Sequence, residues 1–296
     1  MYIIPQKENF MEFLGVLQVL LLGIIEGITE WLPVSSTGHM VLFNRFYPEI
    51  LSSAFMDMFE YVVQLAAIMA IVILFWNKIF PFGANKTQES KLKVYWKKDV
   101  WNTWLKIIVA CVPALIAIVI DSVFESMDEY VQTILIASTL IIYGVAFILI
   151  EKYNKKQARI TELAEISYKY AFFIGCFQVL AAIPGTSRSG ITIIGALLLG
   201  LNRPTAAEFT FILAIPTMVG SSAYKLLKFF METGSMSGAE IGYLAIGSVV
   251  AFAVSFFCVK LLMSFVRKHD FRIFGWYRIA LGAVVLAALV LPPMFA

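Results

Sequence analysis

Residues 26–40 read EGITEWLPVSSTGHM and follow directly on the apolar run FLGVLQVLLLGII at 13–25. Two carboxylates, four hydroxyls and one of only two histidines stand where an oily helix would otherwise continue. Glu26 and Glu30 are four apart, so a helix presents both on one face. Pro33 ends or kinks that helix, Ser35, Ser36 and Thr37 fill the turn, Gly38 permits a tight backbone, and His39 opens the next helix. Ionisable groups at membrane depth cost about 2.5–3.5 kcal/mol each at a helix centre, so they are expected to be paired and functional. A merely interfacial, solvated position is the plainer account and suits Lys7 and Glu12. It does not suit so many polar side chains in one short stretch.

That the helix is oily at all follows from composition. Of 296 residues, 60% are hydrophobic and 15% charged, and the mean hydropathy of +0.83 is far above that of soluble domains. The sequence is that of an all-α polytopic membrane protein, one integral domain over 1–296. Six uninterrupted spans are expected at about 58–77, 104–120, 131–150, 207–230, 241–263 and 275–296, each able to cross roughly 30 Å of hydrocarbon. The opening MYIIPQKENF lacks the basic region and cleavage site of a signal peptide, so the N-terminus is expected to be retained. Cys111, Cys176 and Cys258 lie in apolar segments without metal-binding spacing and read as small buried hydrophobes.

Two apolar regions, 12–44 and 170–201, are interrupted by polar, Pro- and Gly-containing sequence. The Lys-rich connections at 78–106, 151–169 and 265–278 face the cytoplasm by the positive-inside rule, and the acidic DSVFESMDEY at 121–130 faces the other side. This threading leaves Lys7, Arg45, Lys225 and Lys228 outside and Arg188 inside the membrane. It closes only if each interrupted region returns to the face it left. Both are therefore expected to be re-entrant helix hairpins entering from opposite faces.

The two regions also resemble each other. GIIEGITEWLPVSSTGHM and GCFQVLAAIPGTSRSGIT each run from an apolar helix through a proline, Pro33 or Pro184, into a hydroxyl-rich turn. Downstream, FEYVVQLAAIM (59–69) matches AEFTFILAIPT (207–217), aligning Glu60 with Glu208. With three spans in the first half, the second half is inverted, so the expected plan is an inverted-topology repeat of about 12–77 and 170–230. Irregular backbone at this depth survives only inside protein or beside a wet cavity, which predicts that the two turns face one pocket.

In the second turn, PGTSRSG (184–190), Gly185 and Gly190 free the backbone, and Thr186, Ser187 and Ser189 offer hydroxyls. Arg188 offers a planar fork suited to phosphate. A helix starting at Ile191 would aim its free N–H groups at the same point. The bland alternative makes Arg188 a structural counter-ion of Glu26 or Glu30. Together the turns hold a nucleophile, a proton carrier and a cationic clamp, an inventory for phosphoryl transfer on a membrane-resident substrate such as a lipid diphosphate.

EGITEWLPVSSTGHM and PGTSRSG, with the E-x-x-x-Q of EYVVQLAAI (60–68) and the GCFQ lead-in at 175–178, resemble the bacterial undecaprenyl-diphosphate phosphatase family, also called the bacitracin resistance protein family. The resemblance covers nearly the whole chain. It implies hydrolysis of undecaprenyl diphosphate to undecaprenyl phosphate and orthophosphate, recycling the carrier lipid for peptidoglycan synthesis, with the site opening to the outer side of the bacterial plasma membrane. It places the essential acidic pair on Glu26 and Glu30, the serine on Ser36 beside Ser35 and Thr37, the histidine on His39, and the phosphate-binding arginine on Arg188 beside Ser187. Trp31 and Thr186 depart slightly from the usual residues without touching a reacting group.

Serine or water is the expected attacking group. A divalent cation, Mg²⁺ or Ca²⁺, could use Glu26 and Glu30, although no all-protein cage is visible. The partners expected are the polyprenyl diphosphate and membrane lipids, with no nucleic acid, and a homodimer could use Gly195 and Gly200 or Gly242 and Gly247. The rival reading is a polyprenyl-phosphate transporter or flippase, for which inverted repeats are equally characteristic. His269, in the basic 265–278 segment, is expected to be ordinary cytoplasmic surface.

Overall fold

The computed structural model describes residues 4–47, 50–86, 92–153 and 158–290. The expectation about the N-terminus, and the last six residues of the 275–296 span, lie outside them. Eleven α-helices are described: α1 (Ile4–Thr29), α2 (Ser36–Phe46), α3 (Ser53–Leu74), α4 (Trp76–Ile79), α5 (Lys98–Glu125), α6 (Glu129–Tyr153), α7 (Tyr168–Val179), α8 (Arg188–Leu198), α9 (Arg203–Thr233), α10 (Gly238–Val266) and α11 (Arg272–Val290). A small antiparallel hairpin, β1 (Phe82–Lys86) with β2 (Leu92–Trp96), interrupts them, pairing Phe82 with Trp96. This ribbon falls in the Lys-rich 78–106 connection, where backbone can leave the helical regime because it is outside the hydrocarbon.

Seven of the helices are long and apolar enough to cross a bilayer. Six are those expected from the sequence. The seventh is α1, whose segment Phe10–Thr29 runs 20 residues before the break. The hairpin expected over 12–44 merges that segment with α2, because its polar, Pro- and Gly-containing break sets the whole region apart from the uninterrupted spans. Glu26 lies inside the last turn of a continuous helix, as its spacing from Glu30 predicts, and the break comes after Thr29, ahead of Pro33. The short helices α2 and α8 have 11 residues each, about 16 Å at 1.5 Å per residue, half of what crossing requires.

The interior is a continuous aliphatic and aromatic core. Phe209 and Phe211 of α9, Ile193 of α8, Phe147 of α6 and Ala67 of α3 are fully buried within it. A second cluster joins α1, α3 and α10 through Val19, Leu22, Phe59 and Ala251. Trp31 is buried, its ring edge-on to Phe211 with centroids 5.4 Å apart, so it anchors the first turn to α9. Two ion pairs tie this region to α9: Lys225 of α9 reaches Asp57 of α3 at 2.9 Å, and Lys78 of α4, just past the end of α3, reaches Glu208 of α9 at 2.5 Å. Two of the glycines considered for contacts between copies are used within the chain, Gly195 against the Phe177 ring and Gly247 against Phe59.

Outside the spans, the carboxyl of Asp270 is held below its ordinary value, chiefly by a hydrogen bond from Arg272. His269 is exposed and stacks on Phe265, as a surface residue would.

Candidate active site

The two interrupted turns share a backbone device. Ser35, just before α2, has φ 75°, and Ser187, just before α8, has φ 69°. Among the described residues they are the only non-glycine positions with positive φ. Left-handed backbone in a side-chain-bearing residue costs energy and persists where the surroundings fix it. Gly185, at φ 83°, makes a similar turn in the second loop. Gly38 and Gly190 are different, both sitting within helices with ordinary φ. The value of Gly38 is close packing, since a β-carbon there would lie 2.9 Å from Leu140 Cδ1.

The loops, some 150 residues apart in sequence, meet. Arg188 Nη2 pairs with Glu30 Oε1, and Ser36 Oγ donates to Glu30 Oε2 at 3.4 Å. Glu30 is thus the hinge between the hydroxyl of the first loop and the guanidinium of the second. Ser189 Oγ donates to the Glu30 carbonyl oxygen at 3.1 Å, a backbone tie between the loops. Both η nitrogens of the Arg188 fork have further partners: Nη1 with Thr217 Oγ1 at 3.1 Å and Ala214 O at 3.5 Å, and Nη2 with Met218 Sδ at 2.7 Å. The counter-ion relation open in the sequence is therefore real, with Glu30 as the partner.

Glu26 is buried beside Gln64, Glu30 and Glu60, with its Oε1 lacking a hydrogen-bond partner. Ser35 Oγ and Thr186 Oγ1 are likewise buried without partners. Buried polar atoms left unpaired cost roughly 1–3 kcal/mol each, so these are positions at which a polar ligand is rewarded. Thr37 is exposed at the start of α2. His39 lies one turn into α2. Its Nδ1 is 2.7 Å from Ser35 O and its Nε2 2.7 Å from the Tyr277 hydroxyl, so its hydrogen bonds go to these two rather than to Glu30.

The helix N-termini differ from expectation. Helix α8 begins at Arg188 rather than at Ile191, and Ser187 Oγ caps it by accepting from Gly190 N at 3.2 Å. Ser35 makes no such bond at α2. The N-terminus left without a side-chain cap is therefore that of α2, the helix carrying Ser36 and His39.

Sequence reasoning missed Arg278. Its place at the end of the basic 265–278 segment suggests cytoplasmic surface, yet it is fully buried within α11. Its Nη1 donates to Pro33 O at 3.3 Å, and its Nη2 to Gly185 O and Thr186 O, both at 2.9 Å. The guanidinium also lies 5.9 Å from the Tyr143 ring centroid. Both loops contain a helix break that frees carbonyls, and this one side chain collects three of them. The only hint in the sequence is that Arg278 is followed by the apolar run IALGAVVLAALV.

For the divalent cation the fit is partial. Among the described residues, no group of three or more His, Cys, Asp or Glu side chains is placed to hold a metal ion. Glu26 and Glu30 supply carboxylate oxygens, fewer than the shell of six or so that Mg²⁺ or Ca²⁺ takes, and one of these already faces Arg188.

Fold and site together define a multi-pass helical membrane protein in which two interrupted helices join an acid–hydroxyl–imidazole loop to an arginine loop. More particularly, the chain belongs to the family of the bacitracin resistance protein BacA, whose model matches residues 19–284. It is 54% identical over 279 residues to an undecaprenyl-diphosphatase of Enterococcus faecalis, covering 93% of this chain and 98% of the relative. An undecaprenyl-diphosphatase of Lachnoclostridium phytofermentans is 51% identical, with 93% and 97% covered, and one of Streptococcus equi subsp. equi is 46% identical, with 96% and 100% covered.

Proposed function

We propose that this protein is an undecaprenyl-diphosphate phosphatase, releasing orthophosphate from the carrier-lipid diphosphate and returning undecaprenyl phosphate to peptidoglycan synthesis, with bacitracin resistance as the consequence. The family and the names of relatives about half identical over nearly the full chain support this. The observation that carries it is the joining of Ser36, Glu30 and Arg188 through the two oxygens of one carboxylate.

Because both η nitrogens of Arg188 are held by protein, a diphosphate reaches the guanidinium through Nε or by trading places with Glu30. The second route has a chemical benefit. A phosphate that takes Arg188 releases Glu30, which then orients the attacking hydroxyl of Ser36 or a water. The uncapped N–H groups at the start of α2, with Ser35, Thr37, Thr186, Ser187 and Gly185 around them, supply further donors to the anion. Ser189 contributes by tying the loops together. Glu26 keeps the pocket acidic behind Glu30, and His39 exchanges the proton. Arg188 matters most as charge builds on the equatorial oxygens of the transferred phosphoryl group. If Mg²⁺ or Ca²⁺ accompanies the substrate, Glu26 and Glu30 would be the side chains to hold it, and it would supply charge neutralisation.

The same reading makes α1–α3 and α7–α9 an inverted repeat, with α2 and α8 re-entrant from opposite faces and the site opening to the outer side of the plasma membrane. The matching left-handed serines and the two ion pairs that tie α3 and α4 to α9 support this. The acid near the start of each long helix meets a lysine beyond or near the end of the other, Asp57 with Lys225 and Glu208 with Lys78. Such a repeat also suits a transporter or flippase. Purified protein in detergent has no second compartment, so orthophosphate release from undecaprenyl diphosphate is expected of the phosphatase and absent for a pure carrier. The same assay with excess chelator reports the metal requirement.

A further inference from the structure

The hydrogen bonds of His39 specify its tautomer. A carbonyl oxygen only accepts, so the 2.7 Å contact with Ser35 O places a proton on Nδ1. In the neutral ring Nε2 is then the bare nitrogen, and the Tyr277 hydroxyl, 2.7 Å away, donates to it. The two rings lie nearly parallel, 12° apart with centroids at 5.7 Å. Tyr277 is not mobile decoration, because the next residue of α11 is Arg278, bonded to Pro33, Gly185 and Thr186 of the two loops. The phenol is thus set against the imidazole by the same helix segment that holds the loops together. It is also 47% exposed, so its hydroxyl sits at an accessible edge of the site.

We propose that Tyr277 is a positioning residue for the phosphatase reaction: its hydroxyl holds His39 in the Nδ1–H form and keeps Nε2 as the nitrogen that takes the proton. The inference rests on the hydrolase reading above. As the attacking oxygen forms its bond to the terminal phosphorus, its O–H bond breaks and the proton passes to Nε2. The bond from phosphorus to the bridging oxygen breaks, and its electron pair leaves with the lipid phosphate. The phenol, which keeps its own proton throughout, turns its O–H to a phosphate oxygen as the substrate seats, so the Nε2 lone pair is free when the proton arrives and Nε2 is then a donor. Neither sequence motif contains Tyr277.

Tyr277→Phe keeps the ring and its stacking and removes only the hydroxyl. The expected result is a fall in kcat of about tenfold with KM within about twofold of wild type. In ¹⁵N-histidine-labelled protein in detergent, wild-type His39 is expected as the Nδ1–H tautomer, with an Nε2 resonance that shifts in the Phe variant. A Phe variant with wild-type kcat, or a fall in kcat with the resonance unmoved, overturns the proposal; so does a wild-type Nε2–H tautomer. The resonance reads the contact without turnover, so wild-type protein that shows it yet releases no phosphate from undecaprenyl diphosphate refutes the hydrolase reading instead.

Discussion

The two interrupted turns use the same backbone and spend their side chains differently. Ser35 and Ser187 both precede an 11-residue helix in left-handed conformation. In the second turn the serine closes its own helix, Ser189 turns to the opposite loop, and Arg278 takes two carbonyls. In the first turn the serine caps nothing, and the helix it opens carries Ser36 and His39. The first turn is left chemically open; the second is largely consumed in holding it there, with Arg188 as its one charged group at the reacting end. Similar local folds can thus be divided between chemistry and scaffolding.

The severest test of that division is Arg188→Ala beside His39→Ala. Both should lower orthophosphate release at least about 100-fold, the arginine through lost charge stabilisation and the histidine through lost proton transfer. An active Arg188→Ala protein would reduce the second turn to scaffold alone. Next in size is Arg278→Met, which keeps bulk but leaves three buried carbonyls unpaired. At roughly 1–3 kcal/mol each, a drop in thermal midpoint should accompany nearly complete loss of activity. Stable, active protein would show that the loops meet without it.

A smaller and more discriminating effect is expected from Glu30→Gln, which weakens the hold on Arg188. Its KM should fall or stay level while kcat drops, because a phosphate no longer competes with a carboxylate for the guanidinium. A rise in KM with unchanged kcat would contradict the exchange. The smallest effect separates the two serines: Ser187→Ala should lose about 1 kcal/mol of stability with its cap, and Ser35→Ala clearly less, read from denaturant midpoints.

Much of this is legible in the sequence. Six spans and both breaks follow from hydropathy and from polar groups placed where they are costly. The pairing of Glu30 with Arg188 is one of two counter-ion choices open in the sequence, and it is what the fold contains. The length of α1 is hidden because the polar break sets the whole of 12–44 apart from the uninterrupted spans, although Phe10–Thr29 alone is an apolar helix of spanning length. The start of α8 is misplaced because a serine with positive φ has no signature in the sequence, and the cap at Ser187 depends on it. Arg278 is hidden by its neighbours: in a basic run an arginine reads as interface charge, and only the tertiary arrival of three freed carbonyls makes its burial tolerable.

That arginine is translated after both motifs, about 90 residues beyond Arg188, and this bears on biogenesis. A nascent chain displays both motifs long before the ribosome reaches position 278, so its two loops enter the bilayer unfastened. Competence is expected to arrive with the insertion of the closing helix, which makes premature termination shortly before it silent even though every signature residue has been translated.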